Sequence, residues 1–409
     1  MQIYKDRYFY GLFLFALTFG VVFYTIIGFD YTDELCALGL FILFIFFMTQ
    51  TPDWEMNKAL IFTLAVFGFY LAYSLWIGSN SVRGILNDFF VQIKPYLGFF
   101  CVYAIKPRMN DERKAILRAA SGIFWIFALG IGLTDLFVHR FMVDVFAHEA
   151  HFAATVLVIS LCHLYASRFT TVDKLKFIAM LALGLLAGRS KFYGFFAMAV
   201  GLLIFFMHGR QFRLSLLNSV ILLAMAGVMA VVAWSKIDLY FVQAVSGGAE
   251  RNEIARFMLY AVTPLVLVDY FPFGSGFATF ATYSSGVYYS PLYSRYSLDR
   301  VWGLSKDYYA FISDTYYPSL AQFGIIGALL YAAFWIYILR KGYKGYLLGT
   351  ERNRALFYIL LLITGYLAVD GIADSTFISY RGFFVMMFAG LILSEMQDSR
   401  EPAEAPAEE

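Results

Sequence analysis

The sequence predicts an all-α, polytopic membrane protein of about twelve transmembrane helices with one large outer loop. Three observations predict it. Of 409 residues, 61% are hydrophobic and 15% are charged, against roughly a quarter charged for an ordinary soluble domain. Mean hydropathy is +0.67, so the chain has more apolar surface than a water-soluble globule can hide. Charge-free runs recur along nearly the whole chain, and a bilayer core of about 30 Å needs about 20 helical residues.

Taken in order, the long charge-free runs are 8–29, 35–52, 59–82, 119–134, 152–167, 214–235 and 315–339. Shorter apolar runs lie at 177–188, 192–207, 355–369 and 382–394, and a further helix near 86–105 carries Asp88, Gln92 and Lys94. The first run is too long for a signal h-region and lacks a small-residue cleavage pattern, so it reads as a retained span. Residues 1–235 then form a bundle of about nine helices, 236–314 a large loop, 315–396 the C-terminal helices, and 397–409 an acidic, Pro- and Ala-rich disordered tail. With the N-terminus inside, nineteen of the thirty-one Lys and Arg fall on inner segments. Positive loops stay cytoplasmic, which places both termini there and the 236–314 loop outside.

Composition also excludes. A net charge of +2 gives no global field to draw nucleic acid. Cys36, Cys101 and Cys162 sit singly in apolar runs and read as buried thiols. No Walker loop, nucleophile elbow or dinucleotide fingerprint is present, and no cofactor is expected. His148 and His151 would share a helix face, but a metal site would need a carboxylate such as Asp144 or Glu149; interfacial histidines are the preferred reading, with no metal.

Charges at membrane depth carry the functional argument. Lys176 and Arg189 are thirteen steps apart, about 20 Å of helix and less than the hydrocarbon thickness. Lys176 can snorkel beside Lys174, which leaves Arg189 and Lys191 facing an outward cavity. The turn from Gly188 to Lys191 could bring guanidinium and ammonium to a phosphate; the competing reading is an ion pair with Asp88, Asp370 or Asp374. Arg256, on an expected helix at 250–270, is a second candidate cation or a solvated charge beside Glu253. Lys94 reads as paired with Asp88, and Asp370, Asp374 and Arg381 as neutralising one another. Eight tyrosines between Tyr270 and Tyr309, with Arg295, Arg300, Lys306 and Asp307 among them, form either a loop at headgroup level or a platform that stacks on sugar rings.

Four elements follow one another in the second half of the chain: Gly188-Arg189-Ser190, Arg256 to Tyr260, Pro272-Phe273-Gly274-Ser275-Gly276, and the segment from Ser313-Asp314 through Tyr316 and Leu320 to Gly324-Ile325-Ile326-Gly327. In that order they resemble the O-antigen polymerase and ligase superfamily, the Wzy-type and WaaL-type integral membrane glycosyltransferases. Ligases place a histidine at the head of the last element; Ser313-Asp314 here fits a polymerase better. The resemblance implies a bacterial inner-membrane enzyme that needs no metal and works on the periplasmic side. Its substrate would be undecaprenyl-pyrophosphate-linked oligosaccharide, its partners membrane lipid and a chain-length regulator. Arg189 and Arg256, with Lys191 assisting, would stabilise the departing pyrophosphate, and Asp314, then Asp307, would take the acceptor proton. Arg295, Arg300, Lys306 and Tyr316 are expected to contact substrate. Asp314 is equally suited to cap a helix beginning near Thr315. Ligation of glycan to a lipid A core and lipid-linked sugar flipping are the alternative activities.

Overall fold

The computed structural model describes residues 2–28, 31–48, 54–207, 227 and 251–398, and among these it contains helices and no strand. The long helices are α1 (Gln2–Leu17), α2 (Thr32–Met48), α3 (Trp54–Ile77), α4 (Val82–Ile105), α5 (Asp111–Asp135) and α6 (Glu149–Tyr165). They continue as α7 (Thr171–Ala182), α8 (Ser190–Met207), α9 (Arg251–Asp269), α10 (Gly324–Tyr346), α11 (Glu351–Asp370) and α12 (Tyr380–Asp398). Polar side chains mark where several begin. Ser81, Asn110 and Thr350 accept backbone N–H bonds at the starts of α4, α5 and α11, and Thr170 with Asp173 forms a capping box on α7.

Among the described residues, four helical stretches are long and apolar enough to cross a membrane: Lys58–Ile77, Asp111–Asp135, Tyr317–Tyr346 and Glu351–Asp370. Large apolar side chains such as Phe62, Ile123, Ile126 and Leu329 face outward from them. Surfaces of that kind call for a hydrocarbon solvent. The other predicted spans within the described residues also fall on helices, shorter or more polar; the 214–235 span and the 236–250 part of the loop lie outside the described residues.

The centre of the bundle is α12, which packs along α4. Small residues let the two backbones approach: a Cβ on Gly390 would meet the Phe99 carbonyl at 2.5 Å, and one on Gly98 would meet Phe383 at 3.1 Å. Apolar on all sides, α12 buries Phe383 through Leu393 without a break, Gly390 included. At the end away from the loop, Glu395 gathers Lys114 (3.0 Å), Arg352 (2.9 Å) and the Tyr165 hydroxyl (2.6 Å), tying α5, α6 and α11 to α12. Cys36, Cys101 and Cys162 are free and buried.

Two of the glycine-bearing sequence elements meet backbone to backbone. Gly276 N donates to Gln322 O at 2.8 Å and Ile326 N to Pro272 O at 3.4 Å. A Cβ on Gly274, whose φ is +82°, would lie 2.2 Å from Gly324 N, and one on Gly324, φ +63°, 2.2 Å from Pro272 O. Tyr73 and Tyr70 of α3 donate their hydroxyls to Gly274 O and Phe323 O. The expected continuous helix at 315–339 is therefore divided. Residues Tyr317–Phe323 form a 3-10 turn, and α10 starts only after the chain passes through Gly324.

A second expectation is corrected. Lys94 binds Asp33 at 2.6 Å and Glu34 at 2.5 Å, not Asp88. Six residues along a helix amount to about 600°, which points Asp88 to a different face. Its Oδ2 accepts instead from Ala278 N at 2.7 Å, anchoring the loop segment to α4.

The seam predicts a contrast between two glycines. Gly274→Ala should cost at least about 3 kcal/mol by overlap with backbone that has nowhere to go, and sharply lower the yield of folded protein. Gly188→Ala, with nothing within 4 Å of its added Cβ, should cost only the left-handed strain of about 1 kcal/mol. Thermal unfolding of the two variants in detergent measures the difference.

Candidate functional site

Gly188, at φ +64° and ψ 16°, closes the 3-10 turn Leu183–Ala187 and hands the chain to α8. Arg189 and Lys191 thus stand at the mouth of α8. The Arg189 Nη2 lies 2.6 Å from Glu149 Oε2 and 2.8 Å from His148 Nε2, both at the start of α6. Lys191 Nζ donates to Asp370 Oδ1 at 2.7 Å and to Ala373 O at 3.2 Å. Arg256 projects from α9, and its Nη2 lies 2.8 Å from Asp314 Oδ2.

The turn between α11 and α12 is the wall these groups share. Lys191 reaches it from α8, Tyr260 of α9 donates its hydroxyl to Ile372 O at 2.8 Å, and Tyr316 N donates to Gly371 O at 3.0 Å. The Tyr317 hydroxyl binds Ala368 O at 2.6 Å. His148 consequently feels Arg189, Glu149, Asp374 and Asp314 together. Burial and the Arg189 guanidinium hold its imidazole below the ordinary value, outweighing the three carboxylates. Glu149 is also lowered: burial opposes the charge, but backbone hydrogen bonding and Arg189 overcome it.

The structure brings together four sequence candidates, Arg189, Lys191, Arg256 and Asp314, at one end of the bundle. It brings them together paired. The expectation that Arg189 and Lys191 face an open cavity is replaced by a crevice of about 20 Å³ between Arg189, Lys191, Phe192, Tyr366 and Asp370, room for about one water. The competing ion-pair reading is met for Lys191 with Asp370, whereas Arg189 takes Glu149. Side chains in the Arg189–Glu149 pair are 38% exposed on both sides, and those of Arg256 and Asp314 are 21% and 31%. Pairs this open exchange partners at little cost. Asp314 does not cap a helix, because the residue preceding the 3-10 turn is Tyr316 and no side-chain cap is made there.

The remaining candidates lie elsewhere. Arg295 is paired with Asp269 at 3.2 Å and stacks over Tyr270 and Tyr296. Arg300, Lys306 and Asp307 are exposed on the loop, beside the ring cluster of Trp302, Tyr308 and Phe311. Tyr316, expected at the substrate, is 2% exposed, and its ring packs on Tyr331 and Phe377. It lines an apolar cavity of about 320 Å³ with Gln92, Tyr96, Tyr331 and Phe334. Among the described residues no group of three metal-ligating side chains occurs; Glu149, the carboxylate a histidine site would have needed, serves Arg189.

Sequence reasoning missed His148 and Glu149 as partners of Arg189. The signal was present: an acidic residue opening an apolar helix, as an unexplained arginine opens another. No protein-family model matches the chain, and no curated protein is detectably similar to it.

Two measurements test this geometry. A double-mutant cycle on Arg256→Ala and Asp314→Ala should return a coupling of about 0.5–1 kcal/mol in stability, as suits a pair this open. The folded value of His148 lies below its unfolded value of about 6.5, so the unfolded chain binds the additional proton. His148 then leaves stability untouched above that pH and lowers it as the pH falls below. His148→Asn should shrink the acid-side drop in unfolding temperature between about pH 7 and 5.

Proposed function

We propose that this protein is a glycosyltransferase that polymerises oligosaccharide repeat units carried on a polyprenyl diphosphate, building O-antigen, capsule or exopolysaccharide. The supporting observation is the gathering of Arg189–Glu149, Lys191–Asp370 and Arg256–Asp314 around one turn at the loop end of an apolar helical bundle. On this reading the bundle crosses the bacterial inner membrane about twelve times, both termini are cytoplasmic, and the 236–314 loop is periplasmic. Membrane lipid surrounds it, and a chain-length regulator is its expected partner.

The chemistry follows from the pairs. The acceptor hydroxyl attacks the anomeric carbon, the bond from that carbon to the diphosphate oxygen breaks, and the electron pair leaves with the diphosphate. Cations fixed where that charge develops stabilise the transition state. Arg189 and Arg256 supply them, with Lys191 beside. When the diphosphate draws Arg256 away from Asp314, the same movement frees a carboxylate to take the hydroxyl proton. Donor binding and base release are thereby one event.

Arg189→Ala or Arg256→Ala should slow chain extension by about 10²-fold or more while leaving protein level and insertion intact. Asp314→Asn should lose far more activity than Asp307→Asn. A gel of surface polysaccharide from a deletion strain decides the class: one repeat on lipid A supports the polymerase, and unattached long chains on the carrier assign the protein to ligation instead.

A further inference from the structure

Near its start α1 carries three consecutive charges, Lys5, Asp6 and Arg7. Lys5 and Asp6 turn inward, each 7% exposed, and bind backbone. Lys5 Nζ donates to Ile105 O at 2.7 Å and Asp6 Oδ1 accepts from Arg108 N at 3.0 Å, which ties the start of α1 to the end of α4. The other end of α4 holds the loop segment through Asp88 and Ala278, so these charges stand at the end of the bundle away from the loop. Arg7 turns outward. It is exposed, and among the described residues it makes no hydrogen bond or ion pair.

Beside Arg7 runs a groove of about 700 Å³ between α1 and α2, lined by Tyr4, Lys5, Arg7, Gly11 and Phe15 on one side and Phe46 on the other. Ligand sites commonly measure about 300–1,000 Å³. Gly11 makes the floor, since a Cβ there would meet nothing within 4 Å. From Tyr4 to Phe15 the groove follows about 16 Å of helix, close to the roughly 15 Å of hydrocarbon in one leaflet. Phe46 continues along α2 into an exposed apolar stripe, Leu38, Ile42 and Ile45, a face that calls for hydrocarbon.

An unpaired cation at one end and an apolar length below it outline an amphiphile with an anionic head. We propose that this groove binds an anionic diacyl phospholipid, its phosphate at Arg7 and one acyl chain lying over Gly11 toward Phe15. The guanidinium fork donates to two phosphate oxygens at once, and Lys5 adds positive charge beneath it. Tyr4, 76% exposed, suits the headgroup level where tyrosines collect. Place decides the source: the groove opens at the opposite end from the Arg189 and Arg256 pairs, where on the proposed topology the inner leaflet supplies anionic headgroups. This site goes beyond glycan transfer and does not depend on it.

The experiment follows thermal unfolding of the full chain in phosphatidylcholine nanodiscs as phosphatidylglycerol replaces part of the lipid, with soluble glycerol phosphate as a separate arm. Phosphatidylglycerol should raise the unfolding temperature, and glycerol phosphate should not. Arg7→Gln should need about fivefold more phosphatidylglycerol to reach half the shift, the loss of one cation's attraction at the surface. Gly11→Leu fills the groove from a position with open space around it and removes a helix-weakening glycine. It should unfold no lower than wild type in phosphatidylcholine and lose at least as much of the phosphatidylglycerol response. Equal unfolding temperatures in the two lipids overturn the proposal, as does glycerol phosphate acting as strongly as the lipid, which would assign Arg7 to a soluble anion. An undiminished response in Arg7→Gln overturns it too, and one in Gly11→Leu would reduce the effect to charge attraction without a groove. Should Arg7→Gln fail to fold, Gly11→Leu decides alone. Chain extension enters none of these readouts, so their outcome stands apart from that of the polymerase reading.

Discussion

The contact on which the loop end depends is the seam where Gly274 and Gly276 lie directly against the backbone of Gln322 and Gly324. No side chain fits between them. Because the seam is backbone on backbone, it fixes the path of the chain on both sides without the slack of rotamers. On one side it sets where α9 ends, and therefore where Arg256 stands. On the other it halts α10 at Gly324 and leaves 313–323 free to run across the end of the bundle, carrying Asp314 to Arg256. Tyr70 and Tyr73 of α3, and Asp88 of α4, tie the same segment to the bundle through its carbonyls and the Ala278 N–H. These are the bonds that apolar surroundings would otherwise leave unmade.

Electrostatics at that end follow from solvent access. The partly open pairs at Arg189 and Arg256 hold a resting charge balance that an incoming oxyanion can rearrange. By contrast, the cluster of Glu395, Arg352, Lys114 and Tyr165 at the far end is closed on itself, with each oxygen of Glu395 taken. One end of the bundle is thus a clamp for helices and the other a set of exchangeable charges. Arg381 stands apart from both, buried with its guanidinium over the ring of Tyr380.

Particular residues show how far the sequence could be read. The turn at Gly188, the helix around Arg256 and the apolar spans were legible because glycine, charge and hydropathy act locally. The Lys94 partner was not, since Asp88 is near in sequence but faces elsewhere, while Asp33 and Glu34 arrive from another helix. Tyr316 looked like a substrate contact by its place in a motif, yet its ring is needed among Tyr331 and Phe377 in the core.

By itself the sequence determined that the chain is helical, that its apolar faces require a hydrocarbon solvent, and which few cations break the hydropathy pattern. Those are properties of single residues and of a 3.6-residue period, and they need no knowledge of neighbours. Only the tertiary structure decided which acid meets which base, that Glu149 answers Arg189, that Asp314 answers Arg256, and that Arg381 makes no ion pair among the described residues. Ion pairing at these positions joins helices far apart in the chain, so the pairing is set by packing of α6, α8, α9 and α12, which no local pattern encodes.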